Sequence, residues 1–331
     1  MSRPHSQRGV ALLIALLAVA LAVILIASLL DRGELAFART RNALRGEQAV
    51  AYSEGLEAYA AHMLMRDRDE EGEIDTSADI WALPLPPQEV PGGRISARLV
   101  ERNGCFNLNN LASASDAGIW RTRMRNLLTA LELDPSLAAV IEDWVDGDTD
   151  PSANGGAEDS AYAAQAVAYR SANRAMAHVS ELRLVRGVSG EVYARLAPHV
   201  CVLPVDSKLN LNTATTPVLM SLDSRITVAL AERIRQDGQA RWKDVKAVLD
   251  ELQTQNIIEI SQRGLGVTSH YFLARAEIIL DDVPFTLTSL LERRTGVGVS
   301  VLSRARGSDD DAGSARALRS AAAPPTTARA P

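Results

Sequence analysis

The sequence predicts an α+β protein. It has a long N-terminal helix, a sheet split by a large, mainly helical insertion, and a disordered C-terminal tail. Three observations lead there. Val10–Leu30 is an unbroken apolar run. Residues in Arg94–Asn107, His270–Leu280 and Val283–Leu291 alternate apolar with polar, and Gly296–Arg304 follows them, as half-buried strands require. Between these flanks, residues 108–265 favour helix.

Composition narrows the function classes. The 331 residues are 47% hydrophobic and 23% charged, ordinary for a folded chain. At 4% aromatic, the sheet must be built from aliphatic side chains. The formal net charge of -6 gives no whole-chain basic footprint for nucleic acid. Lys208, Lys243 and Lys246 are the only lysines, which fits a GC-rich coding sequence. The five histidines form no HExxH, and no serine sits in a GxSxG, so neither hydrolase signature is present. No enzymatic role is expected.

The N-terminal helix comes first. Val10–Leu30 carries no charge and, at 1.5 Å per residue, spans roughly 31 Å, enough for a bilayer core. Arg3 and Arg8 on the short side place the N-terminus in the cytoplasm and the rest across the membrane. The run is too long for a secretory signal, and Ser28-Leu29-Leu30-Asp31-Arg32 is a poor cleavage site. A plain signal anchor and a prepilin-type leader remain. Gln7-Arg8-Gly9-Val10-Ala11 is similar to the latter, with cleavage between Gly9 and Val10. Pilin-like proteins usually carry Glu five residues into the mature chain, where this one has Ile14. A carboxylate in lipid survives only when paired. Its loss points either to a subunit with nothing stacked above it or away from a pilin-like chain altogether. The helix continues beyond the membrane, because Ala49, Tyr52, Leu56, Tyr59, Ala60 and Met63 recur at steps of three and four. Arg66–Ile80 reads as a loop, and the four prolines of Trp81–Gly93 end the helical region.

Further along, Asn107-Leu108-Asn109 and Asn210-Leu211-Asn212 each join an extended piece to a helical stretch. They are either two ordinary joints or the start of two related helical subdomains. Beyond Gly307 the tail is too polar to bury a core.

Asp143, Asp146, Asp148, Asp150, Glu158 and Asp159 crowd one segment with Gly147, Gly155 and Gly156. Asp146-x-Asp148-x-Asp150 lets alternate carboxylates converge on a cation, although Pro151 and Ala157 break the EF-hand pattern. The segment is either a solvated acidic loop or a cation site. His178 and His199 read as helix-surface or capping residues. Cys105 and Cys201 are either two buried thiols or, in an oxidising compartment, a disulfide closing a loop of about 95 residues.

Several segments, in this order and spacing, resemble the type II secretion system protein K family. They are Arg8-Gly9-Val10, Phe106-Asn107-Leu108-Asn109, Ile141–Asp146, Gly156–Tyr162, Ala172-Asn173-Arg174, Ser180–Gly187 and Leu209–Ala214. The resemblance implies a minor pseudopilin, cut by prepilin peptidase and methylated at Val10, at the tip of a periplasmic pseudopilus with minor pseudopilins I and J. Other implied partners are the major pseudopilin, the inner-membrane assembly platform, and a secreted substrate or the outer-membrane secretin. It implies calcium in the acidic segment, with Asp143, Asp146, Asp148, Asp150, Glu158 and Asp159 as candidate ligands. It implies a pilin-like domain interrupted by the helical one. The expected divisions are a leader (1–9), a membrane helix (10–30), pilin-like pieces (31–107 and 266–306), an α domain (108–265) and a tail (307–331). Leu209–Leu249 also resembles the opening of helix-hairpin-helix modules of membrane-anchored DNA-uptake receptors, the alternative reading. Its hairpin, Ser221–Ile226, lacks glycine and places Asp223 where a phosphate would approach, so no nucleic-acid partner is expected.

Overall fold

The computed structural model describes residues 8–153 and 155–307. The first seven leader residues and all of the predicted tail beyond Gly307 lie outside them.

Helix α1 runs from Arg8 to Glu71. Its apolar first part is exposed throughout, with Leu12 and Leu17 at 65% and 68%. Its second part buries Ala49, Leu56, Ala60 and Leu64. The helix reaches Glu71, past the loop expected from Arg66, because Leu64 still packs under Trp81 and Phe272. A 3-10 turn at Ile80–Ala82 follows. Strand β1 (Leu85–Val90) then forms where the prolines predicted only an end to helix. The prolines are tolerated because β1 is an edge strand, whose outward N–H groups have no partner to lose. Strand β2 (Gly93–Glu101) stops short of Asn107, and β3 (Phe106–Asn107) is separate, so the single strand expected over 94–107 is two.

The excursion that follows contains α2 (Ala117–Ala130), α3 (Leu137–Val145), α4 (Asp159–Ala163), α5 (Gly190–Leu196), β4 (Val200–Cys201), β5 (Leu209–Asn210), α6 (Thr216–Met220), α7 (Val228–Arg235), α8 (Val245–Thr254) and β6 (Leu265–Gly266). It is less helical than expected between Asp146 and His178, where α4 is the one helix among the described residues. One continuous core built on Trp120, Met124, Ile141, Tyr162, Leu211 and Ile234 fills it. Strands β7 (Tyr271–Leu280), β8 (Val283–Arg294) and β9 (Gly298–Arg306) complete the main sheet. Its order is β1-β2-β7-β8-β9, antiparallel throughout. Two strands adjacent in the sheet, β2 and β7, thus enclose the whole excursion in sequence.

The repeated N-x-N joints are physically equivalent. Asn107 accepts the N–H of Asn109, and Asn210 accepts that of Asn212, each closing a turn. The Asn109 side-chain amide donates to the Met176 carbonyl and accepts the Met176 N–H, and the Asn212 amide does the same with Trp242. Strand β3 pairs in parallel with β4, and β5 with β6. The two joints share this local geometry, and one core spans both. A disulfide joins Cys105 to Cys201 beside the first, with Cα atoms 5.7 Å apart.

A buried polar group bolts the excursion to the sheet. Arg293 on β8 is 1% exposed in its side chain and binds Asp75, with Asp67 3.6 Å away. Asp75 also accepts the N–H of Ser269, and its carbonyl takes the amide of Asn210. Burial pushes the Asp75 carboxyl up against the pull of Arg293. Glu101, at the end of β2, accepts the Ser269 hydroxyl and the N–H of Gly104, and burial raises it too. None of this group was legible from local sequence.

Candidate membrane anchor and metal centre

Two features carry chemistry relevant to function. The first is the exposed apolar end of α1, which is long and apolar enough to cross a membrane. Every side chain from Val10 to Ala27 is exposed, and among the described residues none covers this stretch. Exposed leucines and isoleucines in such number are unfavourable in water and favourable in lipid. Gly9 and Val10 both lie in α1, at its start.

The second is the acidic segment. Helix α3 is buried on all sides and ends in Glu142, Asp143, Trp144 and Val145. The chain then leaves the helix at Asp146 in extended conformation. Each of Asp146, Asp148 and Glu158 offers one carboxylate oxygen within 4.8 Å of the others. The remaining candidates are spoken for or turned away. Asp143 is fully buried, and both its oxygens accept the N–H of Ser152, at 3.1 and 3.2 Å. Asp159 accepts the N–H of Ser171 and lies 3.9 Å from Arg170. Asp150 is exposed and donates its N–H to Asp148. Of the six candidates, Asp146, Asp148 and Glu158 converge, while Asp143 and Asp159 accept backbone N–H groups and Asp150 is exposed.

The local electrostatics favour a cation. Asp146 is pushed up to about 7, first by burial and then by the charges of Asp148, Asp143, Glu158 and Glu142. Glu158 is raised as well, again mainly by burial. Glu142 is paired with Arg121 on α2. Among the described residues, Asp146 Oδ1, Glu158 Oε1 and Asn173 Oδ1 are buried here and accept no hydrogen bond. Asn173 sits at a φ of 43° and donates its amide to the Asp148 carbonyl at 2.6 Å and to Glu158 Oε2 at 3.2 Å. Buried oxygens without donors are costly, and carboxylate plus amide oxygens form the donor set that suits calcium. The residues fit the ion. Sequence reasoning missed Asn173 as a ligand candidate. Its only signal was membership of the Ala172-Asn173-Arg174 segment.

The hairpins do not present phosphate sites. Between α6 and α7, Asp223 binds Arg225, whose guanidinium holds the carboxyl below its ordinary range. In the other hairpin, Arg183 lies over the Tyr193 ring, 4.2 Å from its centroid. His178 caps the turn at Val179 together with Glu181, and His199 pairs with Thr215.

Residues 104–205 match the family described as type II secretion system (T2SS), protein K. A type II secretion system protein K from Pectobacterium carotovorum is 34% identical over 319 residues, covering 91% of this chain and 97% of that protein. One from Pseudomonas aeruginosa is 34% identical over 318 residues, covering 92% and 94%. The crystal structure of the GspK-GspI-GspJ complex from the enterotoxigenic Escherichia coli type 2 secretion system contains a chain of TM-score 0.71 and 28% identity. That match covers 82% of this chain and 99% of that one. With relatives 34% identical that match nearly end to end, the chain belongs to the type II secretion system protein K family.

Proposed function

We propose that this chain caps the tip of a type II pseudopilus and works by association. Membership of its family makes it a minor pseudopilin and leaves the DNA-receptor reading without support. The observation that carries the reading is α1: one continuous helix, apolar and exposed at one end, seated on a sheet at the other. Such a helix anchors a subunit in the inner membrane and passes from lipid into a fibre without refolding. Prepilin peptidase cuts between Gly9 and Val10, and the new Val10 amine is methylated. The folded body lies in the periplasm. With Ile14 in place of a carboxylate, no acid must be paired when the subunit enters first. The relative of known structure is complexed with GspI and GspJ. We take the corresponding minor pseudopilins as the partners here, with the major pseudopilin and the assembly platform below them.

Asp146, Asp148, Glu158 and Asn173 hold calcium in this reading. The ion supplies charge neutralisation and a crosslink between the end of α3 and the following loop, and no chemistry of substrate. Asp143 and Arg121–Glu142 position the helix end behind it.

The test is the mature N-terminus. Mass spectrometry of protein purified from membranes should find N-methylated Val10 first, and Gly9→Val should leave the leader attached and stop secretion. Normal processing of that variant refutes the reading.

A further inference from the structure

Between α4 and the 3-10 turn at Val179–Leu184, residues 164–178 form no helix or strand. A stretch without a ladder of its own is placed by its side-chain anchors. Its flanks are held by the folded core. Tyr169 donates its hydroxyl to the Leu184 carbonyl at 2.7 Å, with its ring against Tyr162 and Trp144. Met176 exchanges two hydrogen bonds with the Asn109 side chain. Between these points the anchors differ in kind. Ser171 donates its N–H to Asp159 and its hydroxyl to the Asp143 carbonyl. Asn173 donates to the Asp148 carbonyl and to Glu158. All four bonds end on the acidic segment. The pairs Arg170–Asp159 and Arg174–Glu181, at 3.9 and 3.6 Å with exposed guanidiniums, add little.

That anchorage is poorly balanced without a cation. Asp146, Asp148 and Glu158 each hold an oxygen within 4.8 Å of the others, and like charges so close repel. Glu158 is only 4% exposed. Among the described residues, its Oε1 and the Asn173 Oδ1 are buried and accept no hydrogen bond, which is costly. Asn173 also holds a φ of 43°, a sparsely populated conformation. A divalent cation among these oxygens relieves the repulsion and gives both orphaned oxygens a partner. It thereby offsets the cost of holding Asn173 in place.

We propose that calcium at this site latches residues 170–175 onto the end of α3. With the ion bound, Asn173 closes the segment against Asp148 and Glu158, and Arg170 and Arg174 stand in fixed positions on the outer surface. Without it, the segment swings free between Tyr169 and Met176 while the rest of the excursion stays folded. The latch rests on the reading of calcium as the ion and is independent of the pseudopilin assignment.

Limited proteolysis of the full chain in detergent tests it. Cutting of a native protein follows the population in which the bond is opened. Trypsin should cut after Arg170 and Arg174 at least five-fold faster in chelator than in saturating calcium. Lys246 on α8, with its side chain 73% exposed, is the internal reference, and cutting after it should not change. In saturating calcium, Asn173→Ala should raise cutting after Arg170 and Arg174 at least five-fold over the unchanged chain. Hydrogen exchange over residues 170–175 should show the same release without a protease. Calorimetric titration with calcium separates two failures. Binding heat with unchanged cutting and exchange overturns the latch alone. No binding removes the calcium reading, and the latch with it. An equal change after Lys246 also overturns the latch, since calcium then steadies the whole body.

Discussion

Removing the Cys105–Cys201 bond tests how the helical excursion is held at its base. The sequence separation is 96. The chain-entropy model assigns about 4.7 kcal/mol to a cross-link closing a loop of that size. Part of this is redundant. The N–H of Leu203 still donates to Asn107, and the Asn107 amide to Pro204, at 3.0 and 2.9 Å. Compactness in the unfolded chain also reduces the entropy recovered. Against that, Cys201 is fully buried, and truncating both residues to Ala leaves a void costing about 1 kcal/mol. The expected net loss for Cys105→Ala/Cys201→Ala is about 2–5 kcal/mol. Urea denaturation of the soluble part from Arg32 onward measures it. Hydrogen exchange shows where it falls, with faster exchange at β3 and β4 and little change in β7 and β8. An unchanged urea midpoint, with unchanged exchange at β3 and β4, refutes the loop-closure argument.

Three further outcomes follow from the structure. Arg293→Met strands Asp75 and Asp67, both 1% exposed in the side chain, without their cation. Leaving buried carboxylates uncompensated costs about 3–5 kcal/mol, so the urea midpoint should fall sharply, and a loss under about 1 kcal/mol contradicts the bolt. Gly264→Ala forces a Cβ at a φ of 69°, where it would sit 2.4 Å from Trp120 Cζ2. Strain plus overpacking should cost about 2–4 kcal/mol, read by thermal melting, and a neutral result contradicts that packing. In chelator, a carboxyl at Asp146 held up to about 7 binds its proton more tightly folded than unfolded. Stability then falls as pH rises from about 4 through 7, and calcium, by displacing the proton, removes that fall. The calcium-induced rise in melting temperature should be larger at about pH 8 than at about pH 5. Equal rises at both, or a rise that survives Asp146→Asn with Glu158→Gln, contradict the site.

The sequence alone determined whatever depends on local period and composition. An uncharged run of bilayer length declares itself, because lipid tolerates no isolated charge. Alternation placed β7 and β8 within a few residues, because a strand with one buried face must repeat every second residue. The paired N-x-N joints were visible, because an asparagine that closes a turn on the amide two residues on is a local device. The tertiary structure decided everything that depends on convergence. Six acidic residues looked equivalent along the chain, yet three bring a carboxylate oxygen within 4.8 Å of one another, and the Asn173 amide that donates to Glu158 comes from a separate segment. Asp75 and Arg293 meet across the fold and carry no local signature. The prolines before β2 marked a break in helix, but only the sheet order made them an edge strand. Periodicity records which side of an element is buried. It holds no information on which distant loops arrive there, since that is set by the packing of the whole core.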